Sequence, residues 1–230
     1  MTKILQSRER VVDFKSINKI FSGISPESEK KLKKLNIRTR TFDSNQLIYE
    51  KGAEITDILF ITKGTLKVSE ILSDGKEIVS WYYYAQDALP FYLYYAYIYE
   101  YPHQVCSFRK SEVVFVPLDG LVEIVGNDIR FMENVLRFVA EDNFYNKYIM
   151  RCNEYNRIAQ RLAYYLLECE QIDKLKMAPT QEALADILRV NRSSLNQELK
   201  KLKDQGVIAT TGMKFKILDR EYLETLIDEN

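Results

Sequence analysis

The sequence predicts an α+β fold in which an antiparallel β-roll precedes one long helix and a C-terminal group of short helices and strands. Three observations carry this prediction. Short apolar runs separated by glycine turns fill residues 37–116, and an apolar heptad pattern covers about 128–152. Two short helical patterns joined by a tight turn occupy 180–202. A period of two residues is typical of strands and a period near 3.6 of helices, so each change of period marks a change of structure.

The N-terminal residues 1–36 have helical spacing of apolar side chains, with Ser25-Pro26 opening a helix over 27–35. Alternation begins at Ile37, and Gly52, Gly64 and Asp74-Gly75 divide the following stretch by turns. Short strands at regular spacing predict a sandwich or barrel. The predicted strands are 47–49, 58–61, 66–71, 78–81 and 113–116.

The long helix predicted over about 128–152 carries two apolar stripes. We expect one stripe to cover the β-roll of the same chain: Phe131, Val135, Phe138, Tyr145 and Ile149. We expect the other, a heptad seam with two polar interruptions, to form a homodimer interface: Ile129, Met132, Leu136, Val139, Asn143, Asn146 and Met150. An asparagine in such a seam fixes the register of a parallel helix pair. The alternative is a single helix with both faces buried within one chain. A third helix is predicted over 157–169.

Residues 180–202 predict a helical hairpin with an apolar inner face. Leu184, Ile187 and Leu188 share one face of its first helix, which Thr180 caps. Leu195, Leu199 and Leu202 line the second helix, whereas polar side chains lie off that stripe: Arg192, Ser193, Asn196 and Gln197. A polar outer face at a helix N-terminus is typical of a DNA recognition helix, which makes DNA binding the leading hypothesis. The alternative is an ordinary helical hairpin.

The residues after this hairpin favour the DNA-binding hypothesis. Gly206 ends the second helix, and residues 207–210 and 214–218 predict two strands joined by a turn at Thr211-Gly212. Such a pair of strands is a wing. Residues 180–216 contain seven Lys and Arg against four Asp and Glu, in a chain whose net charge is zero. Local positive charge in a neutral protein fits a surface that faces phosphates.

Composition excludes several other classes of protein. A chain that is 29% charged with a pI near 6.6 is not a sequence-blind nucleic-acid coat. Three scattered cysteines (Cys106, Cys152, Cys169) and one histidine (His103) supply no ligand set for zinc or iron–sulfur, so no metal and no cofactor are predicted. An enzyme is disfavoured because the sequence has no glycine-rich phosphate loop and no nucleophile–histidine pair.

The sequence also bears on localisation. The N-terminal stretch has no apolar core of a signal peptide, and the longest apolar run, 88–99, is too short to cross a membrane. We therefore expect a cytoplasmic protein with no membrane partner.

The order of β-roll, long helix and winged helix-turn-helix resembles the Crp/Fnr family of transcription regulators from about Phe21 onward. The matching segments are 58–64 with Asp74-Gly75, Arg157–Ala163 and the helix-turn-helix. The resemblance implies a cupin-like, cyclic-nucleotide-binding-like sensor domain over 1–126, a dimerisation helix over 127–153 and a DNA-binding domain over 154–230. It also implies a homodimer on a pseudo-palindromic operator, and RNA polymerase as a partner of an activator.

The resemblance implies a role for individual residues of the helix-turn-helix. Arg192 matches the arginine that contacts a guanine edge, and Gln197 takes a second base-contacting position, with Ser193 and Asn196 on the same face. The residues expected to contact phosphates are Thr180, Gln181, Asn191, Ser194 and Lys214.

Two residues depart from the family pattern. Ser193 stands where the best-known members have a glutamate, so we expect a different half-site. Arg189 occupies a turn position usually held by glycine, so the turn is either strained or shifted.

The sensor segment departs further from the family, because residues 80–108 lack the glycine and the arginine of a cyclic-nucleotide cassette. Pro102-His103-Gln104 falls where the arginine is expected, which argues against cAMP or cGMP as a ligand. A haem group could be ligated only by His103, the single histidine of the sequence. Eleven of the 21 residues from Trp81 to Tyr101 are aromatic, and their alternation favours strands. A sensor segment without the residues that bind a cyclic nucleotide resembles that of the PrfA-type and arginine-deiminase-regulator branch of the family. An unknown small-molecule effector could be bound by Trp81, Tyr83, Phe91, Tyr95, Tyr97 and His103; alternatively, these rings pack the core.

A rival hypothesis makes the tyrosine-rich roll a small-molecule or protein interaction module, with the C-terminal hairpin as scaffold. This rival predicts no salt-dependent affinity for DNA.

Overall fold

The computed structural model describes residues 13–171 and 177–228. Residues 1–12, the first third of the predicted N-terminal helical region, lie outside this range. The described chain forms two compact units. One contains the described residues up to Leu66 together with Tyr83–Phe138; the other contains Lys67–Tyr82 and the described residues from Val139 onward. The domain boundaries at 126/127 and 153/154 stay a prediction.

The first unit begins with short helical segments: α1 (Phe14–Ile17), a single turn at Lys19–Phe21, and α2 (Pro26–Leu32). The strands of the roll follow. They are β1 (Arg38–Phe42), β2 (Leu47–Tyr49), β3 (Asp57–Lys63), β4 (Thr65–Ile71), β5 (Glu77–Tyr84), β6 (Ala88–Leu89), β7 (Gln104–Ser107) and β8 (Ser111–Pro117). One sheet has the strand order β1-β8-β3-β6 and the other β2-β7-β4-β5. The predicted β-roll is thereby confirmed.

Glycine is required at the turn between β3 and β4. Gly64 has a φ of +88°, and a Cβ atom there would collide with the carbonyl oxygen of Lys110 and with Ser111. Both a left-handed backbone and the absence of a side chain are therefore needed at this position.

The aromatic segment begins in β5 as predicted but departs from the predicted strands after β6. The helix α3 (Phe91–Tyr95) lies between β6 and β7. Pro90 precedes it and cannot donate a ladder hydrogen bond, and Phe91 and Leu93 are both buried. The ring of Phe91 lies 6.1 Å from that of Phe60 and 6.3 Å from that of Phe138. The alternation of aromatic residues is typical of a strand, but residues 91–95 form a short helix.

Two helices follow the roll: α4 (Leu118–Gly126) and α5 (Ile129–Cys152). The predicted long helix is confirmed, and the start of its inward stripe is core, since Phe131, Val135 and Phe138 are almost fully buried. Asp128 caps α5 by accepting a 3.1 Å hydrogen bond from the Phe131 amide. The same carboxylate accepts hydrogen bonds from the Ser25 amide at 2.8 Å and the Ser28 hydroxyl at 2.7 Å, which fixes α2 beside the start of α5.

The second unit contains the greater part of the β4–β5 hairpin and the C-terminal half of α5. Its further elements are α6 (Ile158–Gln171), α7 (Gln181–Ile187), α8 (Arg192–Asp204), β9 (Ile208–Thr211), β10 (Lys214–Ile217) and α9 (Arg220–Asp228). In the hairpin, Glu77 accepts hydrogen bonds of 2.6 Å from both Lys67 and Ser69. The apolar core of this unit includes Leu162, Leu184, Leu195 and Leu223, all completely buried.

Candidate nucleic-acid interface

The helices α7 and α8 are joined by a tight turn, and each begins at a polar cap. The Thr180 hydroxyl accepts a 3.0 Å hydrogen bond from the Ala183 amide at the start of α7. At the start of α8, Asn191 Oδ1 accepts from the amide and the hydroxyl of Ser193 at 2.8 and 2.6 Å. These caps satisfy amides that have no partner within the helix, so the sequence fixes where both helices start.

The apolar faces of the hairpin are buried as the leucine spacing predicts. Leu184 and Leu188 of the first segment are completely buried, as is Leu195 of α8, whereas Ile187 is half-buried. Leu199 and Leu202 continue this stripe along α8 and are almost as deeply buried. The opposite face of α8 is therefore left to solvent.

The predicted base-contacting residues lie on that outer face, and one of the four is less exposed than the others. Arg192, Ser193 and Gln197 are exposed at the N-terminal end of α8. Asn196 is half-buried, and its Oδ1 is buried without a hydrogen-bond partner among the described residues. Arg192, Ser193 and Gln197 are thus more accessible to a groove than Asn196.

The predicted phosphate-contacting residues lie at helix starts and on the wing. Asn191 is exposed, whereas Thr180, Gln181 and Ser194 are half-buried. In the wing, Lys214 pairs with Thr211 across the antiparallel ladder. Lys214 and Lys216 are exposed on one face of β10, while Phe215 and Ile217 on the other face are half-buried. The wing therefore presents a basic face.

The turn between α7 and α8 has an unusual backbone. Arg189 has a φ of +52°, which is uncommon for a residue other than glycine. The amide of Val190 donates to the Ala185 carbonyl at 2.9 Å, so the turn closes in spite of the missing glycine. The left-handed residue lies at the position where the sequence departs from the family pattern.

Two side chains that the sequence analysis did not assign to the site reach this turn. Arg161 on α6 donates hydrogen bonds to the carbonyl oxygens of Leu188 at 2.9 Å and Arg189 at 3.4 Å. Asn153 donates to the carbonyl oxygen of Ile187 at 3.0 Å. Arg161 belongs to the segment 157–163 that carries the family resemblance, but spacing alone gives no sign of its partners.

One carboxylate near the turn is perturbed. Burial raises the pKa of Asp186 on α7, and the hydrogen bond that it accepts from Tyr82 opposes this shift. Glu182 on the preceding turn of α7 raises the pKa further. This carboxylate is half-buried rather than directed freely into solvent.

The predicted dimer stripe of α5 is largely uncovered within one chain. Ile129 is 78% exposed, and Leu136 and Met150 are each 67% exposed. Asn143 is also exposed, and the other three members are half-buried: Met132, Val139 and Asn146. Of the inward stripe, Tyr145 and Ile149 are only half-buried. Large apolar side chains along one stripe of an exposed helix form a candidate contact surface.

The residues proposed for an effector pocket differ widely in exposure. Within the first unit, Phe91 and Tyr83 are buried, Tyr95 is 40% exposed and Tyr97 is 81% exposed. His103 is half-buried, as is Trp81 of the second unit. Phe91 packs in the core while Tyr97 lies on the surface, so these two do not line one enclosed pocket.

Within the described ranges, no three side chains of the metal-ligating types come together in a cluster. Across the same ranges, every helix is too short or too polar to traverse a lipid bilayer.

Residues 160–226 match the sequence family of the Crp-like helix-turn-helix domain. No curated protein gives a significant match to the sequence. Solved structures share the fold at low identity. FixK2 from Bradyrhizobium japonicum is 17% identical, with a TM-score of 0.66 over 84% of this chain and 98% of its own. TTHB099, a transcriptional regulator of the CRP family from Thermus thermophilus, is 20% identical, with a TM-score of 0.60 over 83% and 97%.

A Crp/Fnr family regulator from Eubacterium rectale is 17% identical, with a TM-score of 0.57 over 89% of this chain and 95% of its own. The sequence match covers the helix-turn-helix built by α7 and α8, and the structural matches extend over the roll as well. The chain therefore carries a Crp-like helix-turn-helix domain and has the fold of the Crp/Fnr transcription regulators.

Proposed function

We propose that this protein is a sequence-specific DNA-binding transcription regulator of the Crp/Fnr type. The observation that carries the proposal is the exposed polar face at the N-terminus of α8, where Arg192, Ser193 and Gln197 stand free of the leucine stripe. An α-helix presented in this way fits the major groove of B-DNA, and an arginine there can donate two hydrogen bonds to guanine.

The protein acts as a homodimer in this proposal. Ile129, Leu136 and Met150 leave an apolar stripe of α5 open to solvent, and a second α5 of the same sequence supplies a matching stripe. Pairing along α5 places two recognition helices on one duplex, so the operator is a pseudo-palindrome. Asn143 and Asn146 within the stripe set the register of the pair.

In this proposal, an effector other than a cyclic nucleotide modulates DNA binding. Tyr101 lies near the end of the aromatic segment. This region lacks the arginine that would bind the phosphate of a cyclic nucleotide. Its ring stacks on Tyr49 at 4.6 Å, and it is buried. Such an aromatic interior suits an apolar or aromatic effector better than a charged one. We also infer a cytoplasmic location, and RNA polymerase as a partner in activation.

Selection from random duplex DNA tests the proposal. Purified protein is incubated with a randomised library at two salt concentrations, and the bound fraction is sequenced. A palindromic consensus with an affinity that falls steeply with salt is expected, because each phosphate contact releases a counterion.

The control is the same selection with Arg192→Ala, which should lose the consensus and retain salt-dependent binding. Enrichment of no sequence, with and without added cell extract, would favour the rival hypothesis of an interaction module.

A further inference from the structure

The C-terminal end of α7 is held by side chains from outside the helix-turn-helix. Arg161 donates to the carbonyl oxygens of Leu188 and Arg189, and Asn153 to that of Ile187. The last carbonyl groups of a helix have no partner within the helix and carry a partial negative charge. A guanidinium and an amide therefore satisfy three consecutive carbonyl groups at the point where the chain turns toward α8.

The same two side chains are anchored on the connection between α5 and α6. Arg161 Nε donates to the Tyr155 carbonyl oxygen at 2.8 Å. Asn153 Nδ2 donates to the Ile149 carbonyl oxygen at 3.0 Å, in the last turn of α5. Each side chain thus bridges two backbone segments. Asn153 joins the last turn of α5 to the turn of the helix-turn-helix, and Arg161 joins the connection after α5 to the same turn.

The recognition helix starts immediately beyond this contact. Only Val190 and the cap residue Asn191 separate Arg189 from Arg192, the first residue of α8. The direction in which α8 leaves the turn depends on the backbone of residues 187–191, so a small rotation of the peptide units at 187–189 reorients the whole helix.

We propose that Arg161 and Asn153 are positioning residues that fix the orientation of α8 relative to the end of α5. This inference rests on the proposed function, because the orientation of α8 sets the spacing at which a dimer contacts its two half-sites. Every hydrogen bond of the Arg161 side chain among the described residues goes to a backbone carbonyl group. The planar guanidinium fork holds these carbonyl groups in a fixed relative position, which a flexible ammonium group does not.

Two substitutions of Arg161 and one matched control test the proposal. Arg161→Met keeps an unbranched apolar stem but loses the guanidinium and every donor, and Arg161→Lys keeps the charge without the fork. The control is Arg151→Gln, since Arg151 lies in the last turn of α5 and its guanidinium bonds to Glu154 rather than to the turn of the helix-turn-helix. Asn153→Ala provides an independent variant, also usable where Arg161→Met fails to fold.

The first measurement is binding to a set of operators whose half-sites differ in centre-to-centre spacing. The wild type and Arg151→Gln should prefer one spacing. Arg161→Met and Asn153→Ala should bind that operator about tenfold more weakly and prefer it less over spacings about one base pair away. Their affinity for non-specific DNA should change by less than about twofold, because the phosphate-facing lysines are intact. Arg161→Lys should fall between the wild type and Arg161→Met.

The second measurement is amide hydrogen exchange of residues 188–192 in the absence of DNA. Faster exchange there in Arg161→Met and Asn153→Ala, but not in Arg151→Gln, supports the proposal. A fall in Tm with an unchanged spacing preference and unchanged local exchange would overturn it, because that is the behaviour of a purely structural residue. Should the wild type select no DNA, the proposed function fails and the exchange measurement alone decides the positioning role.

Discussion

The hydroxyl of Tyr82 on β5 donates a 2.6 Å hydrogen bond to the carboxylate of Asp186 in the last turn of α7. Tyr82 is 3% exposed and Asp186 is half-buried, so this contact is partly shielded from water. Burial raises the pKa of Asp186, the tyrosine hydroxyl lowers it, and Glu182 raises it again. The hydrogen bond from the hairpin therefore favours the charged form of this carboxylate, whereas the surroundings of Asp186 as a whole raise its pKa.

Replacing Tyr82 by Phe should lower the free energy of unfolding by about 1 kcal/mol at neutral pH. The folded-state pKa of Asp186 is raised, so the unfavourable effect of its charge is fully present above that pKa and disappears as the pH falls through it. Loss of the hydroxyl raises this pKa further, so the variant should lose more stability at about pH 7 than at about pH 4.

Urea denaturation of the wild type and Tyr82→Phe at both pH values measures this difference. In an Asp186→Asn background the substitution at Tyr82 should lose its pH dependence. An equal loss of stability at both pH values would show that the two side chains are not coupled.

Arg192 and Lys214 should contribute to DNA binding in different ways. Arg192→Ala removes a base contact and should cost about 1–3 kcal/mol on the preferred operator, with little change on scrambled DNA. Lys214→Ala removes a charge from the wing and should weaken binding to both about equally, with a salt slope smaller by about one. Fluorescence anisotropy with the two duplexes at several salt concentrations distinguishes these patterns. Retained discrimination in Arg192→Ala would defeat its assignment to base contact.

Leu136→Glu should dissociate the proposed dimer. A carboxylate placed in the middle of the apolar stripe must lose its hydration on pairing, so the dimer dissociation constant should rise at least about 100-fold. Sedimentation equilibrium over a range of protein concentrations measures this constant. Arg137→Gln, at an exposed neighbouring position on α5 outside the stripe, is the control and should leave it unchanged. A dimer unaffected by Leu136→Glu would place the interface elsewhere.

Asp128→Ala should destabilise the first unit and change its response to acid. Although burial raises the pKa of Asp128, hydrogen bonds from Ser25, Ser28 and Phe131 outweigh this effect and lower the pKa to about 2. The folded-state pKa lies below the unfolded value of 3.8, so the stabilisation is present above pH 3.8 and is lost as the pH falls toward about 2. At neutral pH the cost should be about 1–2 kcal/mol, as for the loss of a helix cap.

Thermal unfolding between about pH 2 and pH 7 checks this expectation, and the variant should lose less stability than the wild type on acidification. Asp119→Ala, which removes an exposed carboxylate from α4, serves as the control. An acid response identical to that of the wild type would contradict the role given to Asp128.

The sequence predicted those features that local patterns determine. The heptad spacing located α5 to within one residue and separated the buried stripe of Phe131 from the exposed stripe of Leu136. Thr180 was predicted as a cap because a cap bonds to an amide only two or three residues away. Because Arg189 takes the place of a glycine, the turn there was predicted to be either strained or shifted, and Arg189 has a left-handed backbone with a φ of +52°.

Other features escaped sequence reasoning because they join distant residues. Tyr82 and Asp186 lie 104 positions apart, and no periodic pattern relates them. Arg161 could be placed in a family segment, but its acceptors at Leu188 and Arg189 are backbone atoms, which leave no trace in the sequence. The helix α3 was missed since alternating tyrosines satisfy the pattern of a strand as well as that of a short amphipathic turn.

The left-handed backbone at Arg189 gives a genetic expectation. A residue other than glycine at this φ costs about 1 kcal/mol, and the bonds from Arg161 help to hold the strained turn closed. Glycine adopts the same backbone without that cost, so Arg189→Gly should act as a suppressor that restores part of the DNA binding lost in Arg161→Met. In a reporter screen starting from Arg161→Met, revertants at codon 189 should therefore appear, and the two positions should behave as an epistatic pair.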